Sequence, residues 1–324
     1  MRKICLITAI LFAMAVICQA DVVIKKKTSL EGMMGMGNNE SSETEYISVD
    51  KSCSERNSKF TGGMMAKATK GKKTENIQIT RLDKGMVWNL EPDGKTYTEM
   101  SLDSLKIMME SLKGSLKDMP MGEDKTDDAK YEWTVDVKGP DDAGMINGFK
   151  CQSLSGKAIG INKENPKDKI RITYEYWLGQ DVAGFKEMDQ YYSNYAKAMG
   201  LDDYRTQQGM EAMAGKWTSH FGDLLQKVKE VGGFPVKTNM LVEKTEEAGA
   251  AESGEEGAMS DSAEGAKKAA EVMGKIGGLF GQKKPAKSAD GMSTVFSMSQ
   301  EVTSIEEKSG NEEKYELPSG YEKK

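Results

Sequence analysis

Residues 77–98 constrain the fold more than any other stretch of the chain. They read Ile77-Gln78-Ile79-Thr80-Arg81-Leu82, Asp83-Lys84-Gly85, Met86-Val87-Trp88-Asn89-Leu90, Glu91-Pro92-Asp93-Gly94, then Lys95-Thr96-Tyr97-Thr98. Three runs alternate apolar and polar residues, and two tight glycine-containing turns join them, which is the pattern of an antiparallel meander. Met86, Trp88 and Leu90 fall on one face of the middle run, so that face packs against a core or lines a cavity.

The same period of two recurs along most of the chain. Residues 21–30, 45–49, 58–68, 131–138, 149–158, 169–178, 294–303 and 314–317 read as strands, with a turn at Asn147-Gly148. In residues 169–178, Ile170, Ile172, Tyr174 and Tyr176 share a face. The period changes in three places. Leu102, Leu105, Met109, Leu112 and Leu116 recur at helical spacing between Ser101 and Pro120. Residues 185–199 and 204–231 carry further helical stripes; in the second, Met210, Met213, Trp217, Phe221, Leu224 and Val228 line up before Gly232-Gly233 stops the pattern and Phe234-Pro235-Val236 opens another strand.

The N-terminus carries an address. Arg2 and Lys3 precede an apolar run, residues 4–17, and Cys18-Gln19-Ala20-Asp21 ends it with small residues at the cleavage positions. That is a secretory signal peptide cut after Ala20, which makes the protein exported and periplasmic or outer-membrane-associated. Lipid attachment at Cys18 is the competing reading, disfavoured by the bulky Ile17 before it. No later segment approaches the ~20 apolar residues of a membrane span. Beyond the signal, Cys53 and Cys151 remain, either as one disulfide in an oxidising compartment or as two separate buried thiols.

Composition excludes several chemistries. A net charge of −6 offers no basic field to nucleic acid. His220 is the only histidine in the chain, and metal-hydrolase and triad sites usually need more. Asp93-Gly94-Lys95-Thr96 imitates the end of a phosphate loop, but Asn89 stands where the first glycine belongs and no helix follows. No nucleophile–base pair is evident, so the chain reads as a non-enzyme with no cofactor and no resident metal. One sharper metal reading is Cu(I) at clustered thioethers such as Met33-Met34, Met64-Met65 and Met108-Met109; the plainer one is that methionine fills adaptable apolar surfaces. Residues 244–291 change composition to Ala, Gly, Ser and charge, with an acidic block followed by a lysine-rich one. They read as a mobile, low-complexity insertion in one domain spanning 21–324, and as a candidate contact for an envelope partner.

The order of several short motifs is similar to a bacterial exported family of uncharacterised function, DUF4412. They are Asp83-Lys84-Gly85 with Trp88 and Lys95-Thr96-Tyr97, Asn147-Gly148-Phe149-Lys150-Cys151, the aromatic strand ending at Trp177, Gly233-Phe234-Pro235-Val236, and Tyr315-Glu316-Leu317-Pro318. That family more distantly resembles the periplasmic lipoprotein carriers LolA and LolB. The resemblance implies an α+β fold: a strongly curved antiparallel sheet, a half-open barrel, with helices packed on its concave side. It also implies that the concavity holds acyl chains, so the expected partner is a lipid, lipoprotein or other hydrophobic ligand bound between sheet and helices. The candidate cavity residues are Trp88, Tyr97, Met109, Trp177 and Trp217. The alternatives are an envelope interaction through residues 244–291 and Cu(I) binding at the methionine clusters.

Overall fold

The computed structural model describes residues 21–32, 37–108, 130–200, 221–245 and 291–324. The signal region, most of the insertion, Met109, Trp217, His220 and part of the methionine clusters lie outside these residues. The elements follow the chain as β1 (Asp21–Glu31), β2 (Asn39–Ile47), β3 (Lys51–Phe60), α1 (Gly63–Ala68), β4 (Lys73–Arg81), β5 (Met86–Glu91), β6 (Thr96–Ser101), β7 (Tyr131–Ile146), β8 (Phe149–Asn162) and β9 (Lys169–Gly179). They continue as α2 (Phe185–Met199), α3 (Gly222–Val231), β10 (Phe234–Thr245), β11 (Met292–Lys308) and β12 (Glu322–Lys323).

The meander forms as β4–β5–β6, with Trp88 opposite Ile79 and Leu90 opposite both Ile77 and Tyr97. Asn147 and Gly148 both take positive φ, 50° and 87°, and close the two-residue hairpin between β7 and β8. Two expectations change locally. Residues 58–68 split at Gly62-Gly63: β3 ends at Phe60, and Met64-Met65-Ala66-Lys67-Ala68, good helix formers, wind into α1. Helix appears at residues 102–108 and in α3, so the described residues hold only parts of the two longer stripes. Residues 312–315 form a 3-10 turn in place of the final strand, because Tyr315 is wholly buried and pulls the chain into the sheet face.

All twelve strands join one sheet in the order β12-β6-β5-β4-β3-β2-β1-β11-β10-β9-β8-β7. Every pairing is antiparallel except the short β12–β6 contact, so the sheet is mixed. The half-open barrel does not form: the sheet is neither closed nor strongly curled, and helices are few among the described residues. The physical reason is visible at the β7 edge. Pro140 has no N–H to donate, two register shifts interrupt the strand, and Asp136, Lys138, Asp141 and Asp142 load the edge with charge. Such a strand blocks further pairing, and the sheet stays open.

Strand register puts α2 and α3 on the same face. Gly156 of β8 lies under α3, where a Cβ would come within 2.8 Å of both Leu224 and Phe221; only glycine lets the helix approach this closely. Leu224 is wholly buried with Tyr174, Met240 and Met298 from β9, β10 and β11. α2 packs Met188 and Tyr191 against Val22, Ile24 and Ile47 of β1 and β2. Five of the methionines, Met188, Met199, Met240, Met292 and Met298, are buried core, which gives part of the methionine excess a packing role. The opposite face of β3–β6 is covered by the C-terminal chain: Tyr315 sits with Cys53, Ile79, Trp88 and Leu90. Arg81 fastens this cover by donating to the Tyr315 carbonyl at 3.2 Å and by pairing with Glu316 and Asp83.

Candidate functional site

A cleft opens where α2, α3 and the β9–β10 end of the sheet meet. Tyr176 and Leu178 of β9 form its floor, Phe185, Met188 and Tyr192 of α2 one wall, and Val228 of α3 with Phe234 and Pro235 the other. Among the described residues, Asp189 is the one charged residue lining it. The local fold follows from two features. The Gly184 N–H donates to Glu307 Oε1 at 2.8 Å and fixes the start of α2 to β11. Gly233 takes φ 87° and passes so near the Gly179 carbonyl that a Cβ would stand 2.6 Å from its oxygen, which brings Phe234 and Pro235 into the wall.

The cleft holds about 30 Å³ of sheltered space, room for a few water molecules, where drug-sized ligand sites measure about 300–1,000 Å³. A larger apolar group therefore enters only if α2 and α3 separate. Met188, an unbranched side chain that adapts to its surroundings, stands at that boundary.

Beyond the cleft, α2 rests on polar ground. The Tyr192 hydroxyl donates to Glu45 Oε2 at 3.0 Å, and the Lys26 ammonium pairs with the same oxygen. Glu43 accepts from Ser54 Oγ at 2.6 Å and from Arg56 Nη2 at 2.9 Å. One helical position earlier, the Tyr191 and Ser52 hydroxyls meet at 2.5 Å. Burial pulls the Lys26 pKa down, but Glu45 and Glu43 outweigh it and leave it raised. Burial likewise pushes Glu43 up, and Lys26 with Arg56 brings it below the ordinary carboxylate value. Both groups are therefore charged at neutral pH. Burial, then Glu45, drives the Tyr192 phenol well above its usual range, so it remains a donor.

The sequence-derived residues fall elsewhere. Trp88 and Tyr97 belong to the face covered by the C-terminal chain, where the Trp88 indole donates to Glu99 at 2.9 Å. Trp177 lies between Tyr176 and Leu178 on β9, so alternation turns it away from the cleft, and the Lys237 ammonium sits 5.2 Å from its ring centre. Met109 and Trp217 lie outside the described residues. The residues that do line the cleft were half visible: Tyr176 shares the face of Tyr174 that strand alternation marks out, whereas Phe185, Val228 and Pro235 are joined to it only by tertiary packing.

Cys53 and Cys151 are free and buried, so the disulfide expected as one alternative is absent. Their strands, β3 and β8, stand six places apart in the sheet, roughly 29 Å at ~4.8 Å per strand, against the ~7 Å limit for bridged Cα atoms. Among the described residues, no group of three or more His, Cys, Asp or Glu side chains is placed to hold a metal, and no helix is long and apolar enough to cross a membrane.

No family model matches the chain, so membership of DUF4412 is not shown. No curated protein matches it either. One similar solved structure is an outer membrane lipoprotein-sorting protein domain from Vibrio parahaemolyticus, at 9% identity over 91% of this chain and 88% of that one. The TM-score is 0.21, and a superposition at that level carries no argument about fold or function.

Proposed function

We propose that this is an exported binding protein, acting without catalysis, that holds an apolar ligand of the acyl-chain class between α2, α3 and the sheet. The carrying observation is the cleft itself. Aromatic and aliphatic side chains from two helices and two strands converge there around one charged residue. That is the lining of a site that selects for apolar shape, with few groups to fix orientation. Its sheltered part is small, so the ligand displaces helix–sheet contacts as it enters, and the energy of burying its chain offsets that loss.

The export half of the reading rests on Arg2, Lys3 and the apolar run ending before Ala20. The test is native mass spectrometry of protein recovered from the cell envelope under non-denaturing conditions. A co-purifying lipid that leaves on mild activation is the expected result. Envelope-derived protein that carries no adduct and takes none up from lipid vesicles would overturn the reading.

A further inference from the structure

The face of the sheet beneath the helices is divided. Its β8–β11 part is apolar, built from Leu154, Tyr174, Met240 and Met298. Its β1–β3 part carries a cross-strand row of charges, because Lys26 of β1 pairs in register with Glu43 of β2, and Glu43 with Arg56 of β3. Glu45 stands on the same face, two residues along β2 from Glu43. Lys26, Glu45 and Glu43 keep only 10%, 11% and 13% of their side-chain surface, whereas Arg56 keeps 53%. The row is thus buried at the cleft end and open to solvent at the Arg56 end.

Tyr192 joins the two halves: its ring lines the cleft and its hydroxyl bonds Glu45. A chain of contacts therefore runs from the apolar cleft, through Tyr192 and along two carboxylates and two cations, to the exposed Arg56. Burying three of these four charges stabilises a fold little, since desolvation cancels most of their attraction. An apolar row would pack α2 as well, so the charges point to a ligand.

We propose that the ligand is an amphiphile with a zwitterionic headgroup, its phosphate taken by Lys26 and Arg56 and its amine by Glu43 and Glu45, while its chain lies in the cleft against Tyr192. The inference rests on the acyl-binding reading above and names the chemistry of the polar end. A zwitterion entering the row exchanges protein–protein pairs for protein–ligand pairs and leaves none unmatched. An anionic headgroup strands a carboxylate in a buried place, which costs affinity, and an uncharged headgroup gains nothing from the row.

The test is titration of the full mature chain, by intrinsic tryptophan fluorescence below the micellar range, with three single-chain amphiphiles of equal acyl length. These are lysophosphatidylethanolamine (zwitterionic), lysophosphatidylglycerol (anionic) and monoacylglycerol (uncharged). The zwitterion should bind about tenfold tighter than either of the others. The double variant Lys26→Met with Glu45→Met replaces one buried pair by side chains of similar volume and should keep the fold. It should erase the preference, so that the three amphiphiles bind with equal affinity. Equal binding of all three by the unaltered protein, or an undiminished preference in the double variant, would overturn the headgroup assignment and leave the cleft reading standing. Binding of none of the three would overturn both.

Discussion

Tyr192 on α2 donates its hydroxyl proton to Glu45 on β2 across 3.0 Å, and the Lys26 ammonium shares the accepting oxygen. This bond is where helix, sheet and charge row meet. Tyr192→Phe leaves the ring in the cleft and removes one donor from a buried carboxylate. The expected cost is about 1.5–3 kcal/mol of unfolding free energy by urea titration, the range for hydrogen bonds to charged groups. A loss under ~0.5 kcal/mol would show that solvent replaces the phenol and that α2 is not anchored there.

Gly156 sets how closely α3 approaches β8. Gly156→Val drives a side chain into Leu224 and Phe221, both wholly or almost wholly buried, and should destabilise by about 1–3 kcal/mol through overpacking. Leu224→Ala alone should cost about 2–5 kcal/mol through the cavity it leaves. Combined, the two should cost clearly less than their sum, because the added atoms fill the vacated space. Strict additivity would mean that the helix does not pack on Gly156.

The two described cysteines are separate thiols, and burial pushes the Cys53 thiol up to about 12. Neither Cys53 nor Cys151 should alkylate in the native protein at pH 8, and both should alkylate after unfolding without reductant. Peptide mapping that finds them joined would contradict the strand order.

Acid should weaken the fold through Asp168. Burial pushes this carboxyl up, but the Tyr131 and Asn162 hydrogen bonds and the Lys244 ammonium outweigh burial and hold its pKa below the ordinary 3.8. A carboxylate with a depressed folded-state pKa adds stability that is complete above its unfolded value and disappears as pH falls through the folded one. The melting temperature should therefore fall below about pH 4, and Asp168→Asn should flatten that limb while lowering stability at pH 7. An unchanged acid limb in the variant would assign the effect to other groups, such as Glu43, whose depressed pKa has the same sign.

Local pattern was legible where local physics decides. Alternation and turn glycines marked β4–β5–β6, Asn147-Gly148 marked the β7–β8 hairpin, and the apolar stripe of residues 185–199 marked α2. Openness of the sheet was not legible, because closure depends on which edges meet, and Pro140 with its neighbouring charges acts on a partner far along the chain. The charge row was hidden for the same reason. Of the three, only Lys26 falls in a run that alternation marked as strand; Glu43 and Arg56 precede the runs at 45–49 and 58–68, and only the pairing of β1, β2 and β3 puts them side by side. The cleft was legible in one strand: alternation exposed the Tyr174–Tyr176 face, while Trp177, the more conspicuous aromatic, points the other way.

The central claim is that an acyl chain occupies the space among Tyr176, Met188, Tyr192 and Val228. It is tested most directly by titrating a fluorescent fatty acid into the protein and into Val228→Trp, which fills that space from α3. Saturable one-to-one binding by the unaltered protein, lost in Val228→Trp at an undiminished melting temperature, is the result this account requires. Absence of saturable binding, or equal binding by the filled variant, would contradict it.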